Sequence, residues 1–114
     1  MTTSEILKAA KARLTPETWG KGDGTNDTAV LTTIGRECAA LAIDSACGNL
    51  RAKHIAIAHL TEVACGHRHA ALHRWNDAPE RTLQDVLDAF EAAIAIAEAQ
   101  EAADPVPQAE AVTG

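Results

Sequence analysis

Leu83, Val86, Leu87, Phe90, Ile94 and Ala97 recur at intervals of three and four residues, while Asp85, Asp88, Glu91 and Glu98 fall between them. At about 3.6 residues per turn, this spacing gathers the apolar side chains on one face of a helix; a strand, with its period of two, cannot do so. A helix with one apolar face has to bury it against other elements. Thr82 with Asp85 three residues later forms a capping pair that sets where this helix begins.

The preceding chain supplies candidates for those elements. Thr2 and Glu5 form a capping box ahead of Ile6, Leu7, Ala10 and Leu14, which share one face of a short first helix. Pro16 opens a new turn, and Trp19 leads into GKGDGTND, whose glycines and short polar residues favour a loop. Asn26 or Asp27 can cap the next helix. From Ala29, the positions Val30, Leu31, Ile34, Cys38, Leu41 and Ile43 keep helical spacing up to Gly48-Asn49, so one helix is expected there. Gly35 then marks a close helix crossing inside it. Leu50 to Cys65 reads as the next helix, with Leu50, His54, Ile57, Leu60 and Ala64 on one stripe and Gly66 as its stop. HRHAALHRW gives a short helix or a kinked extension, and Asn76, Asp77 and Pro79 make the turn before the last helix.

Composition supports the same class. The chain has no Tyr and a single Phe, so the residues that fill pleated sheets are scarce. Alanine accounts for 25 of the 114 residues, which lets helices approach closely while each contact buries little area. The expectation is an all-α fold: one small helical bundle of about four main helices plus a short helix over residues 1–101. Asp-Pro-Val-Pro stops the last helix, and an acidic, apolar-poor tail over residues 102–114 is expected to be disordered.

Charge and cysteine usage narrow the function classes. Glu98, Glu101, Asp104 and Glu110 carry four of the six net negative charges, and no Lys or Arg lies among residues 98–114. This sign is wrong for a phosphate-backbone binder, which displaces counterions with a basic surface, so nucleic acid is not the expected partner. No apolar run reaches the roughly 18 residues of a membrane span. Three Cys without a paired CxxC fit a reducing, cytoplasmic setting better than a disulfide framework.

SEIL near the start, Trp19 followed by Gly22, AVLTTIG, and then WNDAPERTLQDVLDAFEAAI occur in that order. This combination resembles a family of small domains from actinobacteria and the bacteriophages that infect them. The hallmark of that family is Trp-Asn-Asp, a short turn, Arg-Thr and a closing amphipathic helix. The resemblance covers roughly residues 4–97, and its specific part is Trp75, Asn76, Asp77, Pro79, Arg81, Thr82 and Val86. It departs before Gly35, where Thr32 or Thr33 replaces a Cys usual in the family, and after it, where Arg36-Glu37 replaces a small apolar pair. The resemblance implies a helical fold and a phage-type origin, in the host cytoplasm if phage-encoded. It brings no activity, substrate, cofactor or metal.

The candidate binding residues are Trp75, Asn76, Asp77, Arg81 and Thr82, joined by Arg74 and Trp19. An indole, an amide, a carboxylate and a guanidinium so close together can hold a polar or anionic ligand. The same residues also have structural uses: Asn76 and Asp77 on turn amides, Thr82 as a helix cap, Arg81 against Asp77, and Trp75 over the core. His67, His69 and His73 with Cys65 do not match a known zinc spacing, and no metal or cofactor is expected. Gly20 to Gly24 lacks the phosphate-loop pattern and reads as a loop.

These features point to a binding module that meets a host protein or a small ligand, including an anionic one, through the Trp75–Thr82 turn. Two alternatives stand beside it. One is a small hydrolase or transferase using His73, Asp77 and Arg81. The other is a structural protein that self-associates through Ala92, Ala95 and Ala99.

Overall fold

The computed structural model describes residues 1–22 and 29–103. Its helices are α1 (Thr3–Arg13), α2 (Ala29–Thr33), α3 (Ala39–Ala46), α4 (Leu50–Cys65), α5 (Leu72–Asp77) and α6 (Leu83–Ala103). The fold is an all-α bundle, with the long helices α1, α4 and α6 around one core.

α1 starts where its capping box places it. Thr2 Oγ1 accepts from Glu5 N at 3.2 Å, and Thr2 N donates to Glu5 Oε1 at 2.7 Å. Lys11 and Arg13 in its last turn suit the negative end of the helix dipole. Ile6, Leu7, Ala10 and Leu14 are all buried, and they meet Val86, Phe90, Ala93 and Ile94 of α6 in the core. Ser4 Oγ donates to Glu101 Oε1 at 2.6 Å, Lys8 pairs with Glu98 at 2.5 Å, and Lys11 pairs with Glu91. These partners run in opposite order along the two helices, so α1 and α6 are antiparallel. Ala10, Ala39, Ala42, Ala56 and Ala93 are fully buried, as close helix approach requires.

α6 begins at the expected cap: Asp85 N donates to Thr82 Oγ1 at 3.1 Å and Thr82 N to Asp85 Oδ2 at 3.0 Å. It runs beyond the Leu83–Ala97 stripe to Ala103, immediately before the Asp-Pro-Val-Pro run expected to stop it. The remainder of the acidic tail, 104–114, and the caps expected at Asn26 or Asp27 lie outside the described residues. Ala92, Ala95, Ile96 and Ala99 line the solvent side of α6.

The single helix expected from Ala29 to Gly48 is two helices. Gly35 has φ +72°, a left-handed conformation that favours glycine, so it ends the five-residue α2 rather than marking a crossing within a helix. Arg36 N returns to Leu31 O at 2.9 Å, and Ile34 is left exposed. The chain then extends far enough for an isolated parallel bridge between Trp19 and Glu37 before α3 begins. The stripe expected on α4 is also rotated. Ala56, Leu60 and Thr61 are its buried residues, whereas Leu50 and His54 are exposed. Gly66, at φ +97°, caps α4 in the left-handed conformation, as expected.

Candidate functional site

Trp19 is the hinge of the region. Thr18 Oγ1 accepts from Thr15 N at 2.8 Å and donates to Arg13 O at 2.6 Å, which fixes the turn after α1. The chain emerging from that turn pairs with the α2–α3 connection: Glu37 N donates to Thr18 O at 2.7 Å and Gly20 N to Glu37 O at 3.0 Å. The indole of Trp19 is thereby laid against the core.

Asn76, in the last turn of α5, is fully buried. Its Oδ1 accepts from Trp19 Nε1 at 2.8 Å and from Ala39 N at 3.1 Å. Its Nδ2 donates to Gly20 O at 3.1 Å and to Asp77 Oδ1 at 2.8 Å. A side-chain amide has two acceptor and two donor positions, so Asn76 is fully satisfied. One of those bonds solves a local problem. Cys38 precedes α3 but makes no side-chain capping bond, and the amide of Ala39 at the helix start is capped instead by Asn76 from another element.

Asp77 extends the network outwards, its Oδ1 accepting from Gly22 N at 2.8 Å. Lys21 Nζ donates to Ala78 O at 2.8 Å and Pro79 O at 3.0 Å, satisfying carbonyls where α5 ends, and it lies 5.8 Å from the Trp19 ring centroid. The segment after Trp19 is thus fastened to the end of α5 by side chains from both sides.

The other side of α5 has a different character. Trp75 packs against the core, and the Arg81 guanidinium stands over its ring at 4.3 Å from the centroid. Arg81 Nε donates to Trp75 O at 2.8 Å. Arg81 therefore serves Trp75 rather than the Asp77 pairing expected from the sequence. Arg74, next in the chain, is exposed. The candidate residues divide accordingly: Trp19, Asn76 and Asp77 form an inner lock, Thr82 caps α6, and Arg74, Trp75 and Arg81 form an outer set.

The other polar clusters are placed less favourably for chemistry. His69 lies in the turn after α4 and His73 on α5, so they share no helical face. His67 Nδ1 accepts from His69 N at 3.3 Å. Among the described residues, no group of three or more His, Cys, Asp or Glu could hold a metal ion. Burial pushes the Cys65 thiol above its usual range, with Arg81 pulling the other way, and burial raises Cys38 as well. A raised thiol is a poor nucleophile at neutral pH. Asp77 accepts from Gly22 and Asn76 while the Arg81 guanidinium lies over Trp75.

Sequence reasoning missed Arg13, Arg36, Glu37 and Ser45. Arg13 reaches Glu37 through both Nε and Nη2 at 2.9 Å, and Ser45 Oγ donates to Glu37 Oε2 at 2.6 Å. The hydrogen bond from Arg13 holds the Glu37 carboxyl below its usual range despite partial burial, with Ser45 assisting. No spacing in the chain announces this cluster, because Arg13 belongs to one helix and Glu37 to an extended residue between two others.

Fold and site together define a small all-α domain whose polar network is mostly spent on its own assembly. The chain belongs to a family of unknown function (DUF6197), whose model matches residues 1–96. No curated protein and no solved structure matches it. Among the described residues, no helix is long and apolar enough to cross a membrane.

Proposed function

We propose that this chain is a non-enzymatic helical binding module that contacts an anionic group, borne by a small ligand or a host protein, through the outer side of its Trp75–Thr82 segment. The carrying observation is the Arg81 guanidinium held over Trp75, with only Nε engaged by an acceptor among the described residues. A guanidinium whose stem and Nε are fixed loses little freedom when its remaining N–H groups meet a carboxylate or phosphate. Arg74, exposed and adjacent to Trp75 in the chain, adds a further cation. Trp19, Asn76 and Asp77 act as positioning residues, and Thr82 fixes the start of α6 behind the turn. The resemblance in the Trp-Asn-Asp motif supports a phage-encoded or prophage-derived origin, with the host cytoplasm as the setting.

The test is an NMR titration of 15N-labelled protein with adenosine monophosphate and with inorganic phosphate, monitoring the Trp75 indole and Arg81 Nε–H signals. Saturable shifts at these groups are expected, weakening about tenfold in Arg81→Gln as a charge-assisted hydrogen bond is lost. Unchanged shifts in a normally folded Arg81→Gln would remove Arg81 from the contact. Absence of any shift at Trp75 and Arg81 with both probes would overturn the anionic reading.

A further inference from the structure

A cavity of about 430 Å³ lies away from Trp75, between the end of α1, the α2–α3 connection and α3. Arg13, Thr18, Arg36, Glu37, Leu41 and Ser45 are among its lining residues. We infer that this cavity is a binding site for a small molecule bearing a carboxylate or phosphate, read by the free edge of Arg36.

The donors and acceptors around the cavity select that ligand class. Arg36 Nη1 is spent on two backbone carbonyls, Pro16 O at 3.1 Å and Trp19 O at 2.8 Å. Its Nε and Nη2, the pair that forms a side-on fork, have no acceptor among the described residues. Arg13 is arranged the opposite way, with Nε and Nη2 committed to Glu37 and Nη1 without an acceptor among the described residues. Glu37 is the one carboxylate among the described lining residues. Its Oε1 takes a bond from Arg13, and its Oε2 takes bonds from Arg13 and Ser45. Thr18 Oγ1 donates to the Arg13 carbonyl. Across Arg13, Thr18, Arg36, Glu37 and Ser45, spare N–H donors therefore outnumber spare acceptors, and Arg13, Arg36 and Glu37 leave one net positive charge. A ligand that satisfies the cavity has to be rich in acceptors and anionic.

The fork is also held in place. A Cβ on Gly20 would lie 3.0 Å from Arg36 Cβ and 3.1 Å from its Cδ, so the Arg36 stem runs directly over that glycine. Anchored at its stem and at Nη1, the guanidinium presents its remaining edge with little rotamer entropy left to lose. Leu41 supplies an apolar wall for a short carbon body, and the volume falls within the range of small-ligand pockets. Arg36 is anchored on the Trp19 carbonyl, but the groups that would meet the ligand, Arg13, Arg36 and Leu41, are none of those that make the Trp75 contact proposed above.

The experiment is a 15N-HSQC titration of the full chain with inorganic phosphate, glycerol phosphate and butyrate, which separates phosphate from carboxylate recognition. Saturable shifts are expected at Arg36 Nε–H and the amides of Gly35 and Ser45. Arg36→Lys keeps the charge but lacks the fork, and should weaken binding about tenfold. If Arg36→Lys also loosens the fold, Leu41→Glu serves as the second variant. It leaves both arginines in place, adds a negative charge to the wall, and should abolish the shifts while the melting curve stays normal. No saturable shift at these groups with any of the three probes, or full binding in a folded Leu41→Glu, would overturn the inference. Shifts confined to Trp75 and Arg81 would leave the Trp75 contact standing and sink this one.

Discussion

Trp19 and Asn76 stand 57 positions apart in the chain, yet the indole Nε1 donates to the buried amide oxygen at 2.8 Å. The same oxygen takes the first amide of α3, and the same side chain holds Gly20 and Asp77. Distant segments therefore meet at one side chain, which acts as the keystone of this end of the bundle.

Replacing Asn76 with Ala leaves Ala39 N without its acceptor in a buried setting and Trp19 Nε1 without its acceptor in a half-buried one. A buried orphaned group costs about 1–3 kcal/mol and a half-buried one less, so urea unfolding should report a loss of about 2–4 kcal/mol. Trp19→Phe removes only one donor and should cost about 1 kcal/mol beyond its packing loss. A double-mutant cycle between the two should show coupling, because they share that bond. Simple additivity would count against the lock.

Gly20→Ala and Gly48→Ala make a matched pair. A Cβ at Gly20 would stand 2.8 Å from Leu31 Cδ2, whereas at Gly48 nothing lies within 4 Å. Overpacking of this kind costs about 1–3 kcal/mol, so Gly20→Ala should lower the melting temperature while Gly48→Ala leaves it level or slightly raised. Equal melting of the two variants would contradict the close approach at Gly20.

Glu37 makes stability depend on pH. Its folded pKa is depressed, first by the Arg13 hydrogen bond, so the folded state binds its proton less readily than the unfolded chain. The resulting stabilisation is fully present above the unfolded value, about 4.3, and fades as pH falls through the lower folded value. Wild type should out-melt Glu37→Gln at pH 7, and the gap should close in strong acid. A gap that persists at about pH 2, below the usual carboxylate range, would point to packing rather than charge.

Thr82→Ala removes the hydroxyl that accepts from Asp85 N. Loss of an N-cap costs about 1 kcal/mol, and Thr82→Ser should restore most of it. Hydrogen exchange should quicken in the first turn of α6 ahead of its centre, where Phe90 is fully buried.

The helices that carry their own signals are legible in the chain alone. α1 and α6 announce themselves through capping boxes at Thr2 and Thr82 with apolar residues at helical spacing behind them, and α4 through its clean stop at Gly66. The segment from Ala29 to Gly48 defeats the same reasoning because its apolar spacing continues across a glycine whose left-handed φ breaks the helix. Periodicity reports which face is greasy, not whether the backbone stays helical between turns. Leu50 and His54 depart from the expected stripe for a related reason: Ala56 is the residue that lets α4 come close, and alanine gives a periodic pattern little contrast.

What the chain settles by itself is local: all-α class, the starts of the first and last helices, the stop of α4, and Thr82 as a cap. Those features depend on bonds spanning three or four residues, so the sequence holds both partners side by side. The roles of Asn76, Arg36 and Glu37 are decided only in three dimensions. Each depends on donors and acceptors contributed by a distant segment, and a polar side chain in one dimension looks the same whether its partner will be water, a ligand or another turn of the same protein.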